Sequence, residues 1–248
     1  MKRALIVGGA NGIGLAVATE LAACPGCEHV YIVDKADPEP QYVTKKMETF
    51  RFDLTADDFS FFDRFTNIDT LVITAGFGRL ALFRDVEERH IAESFSVNTI
   101  AAMRLIRRFY DRIEGRSDFH VGVMVSIAGF MTSPFFSVYA ATKAALRVFI
   151  ESVNAELEQA GTTNRILNVS PGSIAGTSFT RQRTELEKVR PLAREIIGRL
   201  ERKEDLFIPG YEETFREVLE RYHKDFRAEG RRSYQYKLNS GRIKTERT

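Results

Sequence analysis

The chain has 248 residues, 44% of them hydrophobic and 28% charged, and a formal net charge of +2 at pH 7. That length suits one large α/β domain, and the apolar share can fill a sizeable core, which excludes a disordered chain. So small a charge leaves no electrostatic footprint for nucleic acid or a membrane surface, and no apolar run approaches the roughly 18 residues of a spanning helix.

In chain order, "RALIVGG" reads as an apolar strand, cut off by Gly8 and Gly9 before it reaches signal-peptide length; a cytoplasmic protein is the expectation. "GIGLAVATELAA" reads as a helix. Cys24 and Cys27 follow it as "CPGC". The pair has redox or metal spacing, yet it follows a helix instead of opening one and no second pair completes a zinc site. Two reduced thiols around a Pro-Gly turn are expected, and no metal.

"HVYIVDK" and "TLVITAG" read as strands, the second after an acidic, Phe-rich stretch near residues 53 to 65. "HIAESFSVNTIAAMRLIRRFYDRI" reads as one long helix, "HVGVMVSIAG" as a strand, "VYAATKAALRVFIESVNAELEQA" as a helix and "RILNVSPG" as a strand. Continuous apolar strands alternating with long helices predict a single-domain, doubly wound parallel sheet of Rossmann type with helices on both faces. Ligands in such sheets bind beyond the carboxyl ends of the strands. Residues 173 to 205 turn charged and helical. They are followed by the apolar "LFIPG", a helix, and a basic tail in which residues 224 to 248 hold eight Lys or Arg against three Asp or Glu.

"GGANGIG" joins the first strand to the first helix with glycines at 8, 12 and 14. Glycines there let the backbone approach a pyrophosphate, whose charge suits the N-terminus of the helix starting near Ile13. Asp34 ends the second strand twenty residues after Gly14. A carboxylate at that place accepts the adenosine ribose hydroxyls and repels a 2′-phosphate, so NAD is expected over NADP, with Lys35 pulling the other way. Ser126 ends a strand, Tyr139 follows thirteen residues later and Lys143 four after that, while Asn98 lies in the preceding long helix.

In these residues the chain resembles the classical short-chain dehydrogenase/reductase family over roughly residues 1 to 177. The matching features are Gly8, Gly12 and Gly14, Asp34, Asp53 in "FDLT", Asn98, Ser126, Tyr139 with Lys143, and the turn of Pro171 and Gly172. The resemblance implies that Tyr139 is the general acid in carbonyl reduction and the base in alcohol oxidation, its phenol acidified by the Lys143 ammonium together with the positive nicotinamide of the oxidised cofactor. It also implies that Lys143 bonds the nicotinamide ribose, Ser126 donates to the substrate oxygen, and Asn98 holds a water linking Lys143 to solvent. The implied cofactor contacts are Gly8, Asn11, Gly12, Ile13, Gly14, Asp34, Asp53, Leu54, Ala75, Gly76, Asn98, Tyr139, Lys143, Pro171, Gly172, Ile174 and Thr177.

The chain departs from the family at Val7, where a Thr is usual, and at Ile73 and Thr74, which replace two asparagines. Its C-terminus lacks the common ending, which suggests the subgroup whose last strand ends in Pro-Gly. An apolar substrate pocket is expected from Phe77, Phe130, Met131, Phe135, Phe136 and Phe179, with core or dimer contact as the alternative, under a lid at 173 to 205 on which Arg181 and Arg183 either meet an anionic substrate or are solvated. The family implies a homodimer or homotetramer through the long helices. The tail reads as solvated or subunit-embracing, and no nucleic-acid partner is expected. The competing function is a non-catalytic dinucleotide sensor or interaction protein on the same fold.

Overall fold

A computed structural model describes residues 1–177 and 184–240. Among them, seven strands form one sheet: β1 (Arg3–Val7), β2 (His29–Asp34), β3 (Met47–Arg51), β4 (Thr70–Ile73), β5 (His120–Met124), β6 (Ile166–Val169) and β7 (Leu206–Phe207). Their order is β3-β2-β1-β4-β5-β6-β7, and every neighbouring pair is parallel.

The helices are α1 (Gly12–Ala23), α2 (Glu88–Phe95), α3 (Ala101–Arg108), α4 (Tyr110–Ile113), α5 (Ser137–Gln159), α6 (Leu186–Glu201), α7 (Arg216–Lys224) and α8 (Phe226–Asn239). Because strand side chains alternate between faces, each apolar strand feeds two cores. Leu5, Val7, Leu71, Ile73, Val121 and Val123 pack with α3 and α5, and Ala4, Ile6, Val72, Leu167 and Val169 with α1 and α6. Strand β1 has β2 on one side and β4 on the other, so the carboxyl ends of β1 and β4 form the switch point where such sheets bind ligands.

Four features differ from the sequence reading. Strand β3 carries no apolar run: it is an edge strand in which Met47 alone is buried. The long helix is broken by a π-helical turn over Ser96–Ile100 that joins α2 to α3. Helix α6 is a layer of the fold and not a lid, because Val189, Ala193, Ile196 and Leu200 are buried in the core with α1. The lid expectation narrows to the segment before Leu186, where Phe179, Arg181 and Arg183 lie outside the described residues. Finally, residues 226–239 are not a solvated tail. They form α8, which folds back over residues 132–136, with the Tyr234 ring tilted against Phe135 at 4.6 Å and Lys237 Nζ donating to Ser133 Oγ (2.7 Å) and the Pro134 carbonyl (2.8 Å). Residues 241–248 lie outside the described residues.

No helix of the described residues is long and apolar enough to cross a membrane. Cys24 and Cys27 bracket a turn closed by the Cys27 N–H on the Cys24 carbonyl (3.1 Å), and burial pushes the Cys27 thiol up, away from a reactive thiolate.

Candidate active site

Strand β5 ends two residues before Ser126, and α5 starts two residues before Tyr139, so strand end and helix start meet at the carboxyl edge of the sheet. The Ser126 hydroxyl accepts from the Ala128 N–H (3.1 Å), donates to the Pro171 carbonyl (3.4 Å) and hydrogen-bonds the Tyr139 phenol. The structure therefore brings Ser126, Tyr139 and the Pro171–Gly172 turn together.

Lys143 lies one turn below Tyr139 on α5, and the two face the same crevice, with Nζ 5.8 Å from the phenol ring centroid. The ammonium is 2% exposed, donates to the Met124 carbonyl at 2.7 Å, and is held to a pKa of about 7 by burial. Burial also pushes the Tyr139 phenol up to about 12, and the Ser126 hydrogen bond is what pulls it back down. The sequence reading made Lys143 the source of phenol acidity. In the protein alone, desolvation outweighs it, because a lysine that is itself half neutral near pH 7 has little charge to offer.

The Lys143 shift sets a stability dependence. Its folded pKa lies below its unfolded value of 10.5, so the unfolded chain binds more protons between pH 7 and 10.5, and folding gains as pH rises through that window. Below pH 7 both states are protonated and the cost of burying the charge is fully present. Thermal melts of the cofactor-free protein should show wild type gaining stability over Lys143→Met from pH 7 to 10, by at most about 1.4 kcal/mol per pH unit. Parallel pH curves for the two proteins would contradict the burial of a titrating amine.

Asn98 sits within the π-helical turn, a form of helix often found at functional sites. Its Oδ1 accepts from the Phe77 N–H (2.9 Å), and its Nδ2 donates to the Phe77 carbonyl (2.9 Å) and to Thr142 Oγ1 (3.2 Å). The side chain clamps the loop after β4 to α5, one residue from Lys143. Its Oδ1 and Lys143 Nζ both flank Gly76, at 3.2 and 3.3 Å from where a Cβ would stand.

The glycine turn is welded from both sides. Asp34 Oδ2 accepts from the Ala10 N–H (3.0 Å), and Thr74, at one of the two positions where the family pattern has asparagines, donates its hydroxyl to the Gly8 carbonyl (2.9 Å). The hydroxyl therefore braces the loop where an asparagine is usual. The other departure, Ile73, is simply buried in the core.

These residues fit a dinucleotide. The Gly12 N–H, at the N-terminus of α1, already donates to an oxygen, Thr184 Oγ1 at 3.0 Å, in the way it would meet a phosphate oxygen. Thr177 lies beside Gly12, although its own hydroxyl donates to the Ile174 carbonyl (2.9 Å). Asn11 and Ile13 flank Gly12, and Ala75 is tied to β1 through its N–H on the Val7 carbonyl (3.1 Å). Asp53 is exposed and spends Oδ1 on its own turn, accepting from the Thr55 N–H and hydroxyl, which holds its carboxyl below the usual range. Leu54, next to it, packs against the core beneath β3.

Beside Tyr139 a cavity of about 450 Å³, a small-molecule size, is lined by residues from the loop after β4, from α2 and from the start of α5. Of the expected aromatic pocket, Phe135 lines it and Phe136 contacts the Tyr139 ring at 5.5 Å. Phe130 instead faces the Arg147 guanidinium. The sequence reading missed three participants: Arg79 and His90 in the cavity wall, and Phe215, whose ring lies so close to Gly172 that a Cβ there would stand 2.7 Å from its Cζ. Arg79 could have been found from its place just after a strand. The other two carry no local signal.

A family model described as short chain dehydrogenase matches residues 2–188. Human 17-beta-hydroxysteroid dehydrogenase type 1 is 27% identical over 210 residues, which are 79% of this chain and 61% of that protein, so the chain spans less than two thirds of that relative. L-2,3-butanediol dehydrogenase of Corynebacterium glutamicum is 25% identical over 207 residues, 76% of this chain and 78% of that one. A short chain dehydrogenase of Burkholderia cenocepacia, solved in complex with NADP, shares the fold with a TM-score of 0.75 at 19% identity, covering 94% of this chain and 99% of that one.

Proposed function

The chain belongs to the short chain dehydrogenase family, whose members are oxidoreductases, and we propose that it moves hydride between a nicotinamide dinucleotide and the carbonyl or secondary alcohol of a compound with an apolar body. The observation that carries this reading is the hydrogen-bonded pair of Ser126 and Tyr139 hydroxyls beside the buried Lys143, with Tyr139 lining the cavity.

A bound nicotinamide would give or take the hydride. The chain does the rest. In reduction Tyr139 gives its proton to the carbonyl oxygen, and in oxidation it takes the proton from the alcohol. Ser126 Oγ, already positioned by the Ala128 N–H, donates to the same oxygen as charge develops on it. Lys143 refills Tyr139 through the crevice it shares with Asn98, with a water between them as the relay. The glycine turn from Gly8 to Gly14, with Asn11 and Ile13, takes the pyrophosphate. Asp34 takes the adenosine ribose, Asp53 and Leu54 border the adenine, and Ala75 and Gly76 line the nucleoside. Pro171, Gly172, Ile174 and Thr177 border the nicotinamide. Phe135, Leu80, Val86 and Val138 give the cavity its apolar wall. A sensor that only binds the dinucleotide has no use for a titrating amine buried beside a phenol. A homodimer or homotetramer belongs to the same reading, supported by Ile100 and Val148, which are exposed on the long helices.

Following nicotinamide absorbance over a panel of ketones, aldehydes and secondary alcohols should show turnover. If the protein binds NADH yet turns over nothing in either direction, the enzyme reading falls. Fluorescence titration should show NADH binding more tightly than NADPH, because Asp34 repels a 2′-phosphate; tighter NADPH would mean that Lys35 outweighs it.

A further inference from the structure

We propose that Arg79 recognises a carboxylate on the substrate, so that the enzyme acts on oxo or hydroxy acids whose charged end lies across the cavity from Tyr139. This rests on the oxidoreductase reading above and deepens it.

The loop carrying Arg79 is held on both sides. Asn98 binds the Phe77 N–H and carbonyl at 2.9 Å each, and the Ala81 N–H donates to the Phe135 carbonyl at 2.9 Å. A side chain rooted between two such anchors has a fixed origin, which is what a recognition group needs. Arg79 and Tyr139 line the same 450 Å³ cavity. The guanidinium therefore faces the space that a substrate held by the phenol must fill.

Its partner makes it unusual. Arg51, Arg89, Arg147, Arg199 and Arg216 each sit on a carboxylate. Arg79 has no carboxylate within ion-pair distance among the described residues, and its Nη1 donates to the His90 ring, 2.8 Å from Nε2. Imidazole positions a guanidinium without neutralising it, and four of the five guanidinium N–H groups are left for a planar, bidentate acceptor. His90 is itself largely enclosed, its side chain 12% exposed, and anchors the exposed Arg79 in the cavity wall.

Two carboxylates share this wall. Glu87 is bound to Arg89 at 2.6 Å, which holds it ionised, and Asp85 is exposed in the turn before Val86. They set an upper limit on the charge the cavity accepts. Glu87 already lies within Coulomb range of Arg79 and 4.0 Å from the His90 ring, so a monoanion beside Arg79 meets less repulsion than a phosphate dianion would. Leu80, Val86, Val138 and Phe135 line the rest of the space, which suits a short apolar chain between the carboxylate and the reacting carbon.

The test uses matched pairs of oxo acids and their methyl esters, with a ketone phosphate monoester as a third arm, on wild type, Arg79→Met and Arg79→Lys. Wild type should prefer the acid over its ester by about 10- to 100-fold in kcat/KM, with the phosphate poorer than the acid. Arg79→Met should bring the acid down to the level of the ester, mostly through KM, and leave ester turnover, NADH affinity and the thermal midpoint unchanged. Arg79→Lys should restore part of the preference. Equal use of acid and ester by wild type, or an equal loss on both in Arg79→Met, overturns this proposal and leaves the oxidoreductase reading standing. A phosphate preferred over the acid overturns the choice of a monoanion and with it the proposal. Turnover of none of the three while another ketone or alcohol is turned over overturns this proposal alone; turnover of nothing on the wider carbonyl and alcohol panel overturns both.

Discussion

Replacing Tyr139 with Phe is expected to lower kcat/KM by about 10²- to 10⁴-fold in both directions, with NADH affinity and thermal midpoint preserved. The change removes one oxygen. Ser126 keeps its Ala128 donor and its Pro171 acceptor, so no buried polar group is stranded, and stability should stay within about 0.5 kcal/mol. The two directions differ in their pH dependence, for a reason visible in the site. A phenol pushed up to about 12 is protonated at every working pH, so it is ready to act as an acid, and the reduction rate should be flat from pH 6 to 9. Oxidation needs the phenolate, which burial opposes, so its rate should climb through the same range. A Phe variant that keeps a tenth or more of wild-type activity would remove Tyr139 from the chemistry.

The same contrast shows where the sequence is readable and where it is not. Strands β1, β2, β4, β5 and β6 are legible because a parallel strand covered on both faces is a near-continuous apolar run. Strand β3 is not, because at the edge Glu48 and Arg51 are free to be polar; β7, read from the apolar "LFIPG", has two residues and one buried side chain. The candidate catalytic residues are legible because Tyr139 and Lys143 lie within one helix and Ser126 follows the strand before it. What the motif cannot state is the dielectric around it. A tyrosine and a lysine one turn apart suggest an acidified phenol on an open helix. Placed in a crevice closed by Met124 and Asn98, both groups are instead driven toward their neutral forms. Contacts such as Phe215 on Gly172 or Lys237 on Ser133 join residues 43 and 104 positions apart, and nothing in either local stretch announces the other.

Replacing Gly8 with Ala is expected to cost about 2 to 5 kcal/mol and to abolish dinucleotide binding, the sum of backbone strain and overpacking. Its φ is +91°, a region L side chains avoid, and a Cβ there would lie 2.3 Å from the Ala75 nitrogen and 2.6 Å from its Cα. Those are backbone atoms of the strand end beside it, and they cannot rotate away. Nor can Gly8 shift. Its N–H donates to the Val33 carbonyl at 2.8 Å and its carbonyl accepts from Thr74 Oγ1 at 2.9 Å, while the Thr74 and Ala75 N–H groups both bind Val7. The ends of β1, β2 and β4 are fastened to one another at this residue, so any relief of the clash must open the switch point where the pyrophosphate is to sit. Gly26→Ala is the control: nothing stands within 4 Å of its Cβ position, and its change should stay within about 0.5 kcal/mol. Denaturant unfolding reads the stability of each variant and NADH titration reads the site. A Gly8→Ala protein that unfolds at the wild-type midpoint would show that the strand ends give way more easily than their hydrogen bonds imply.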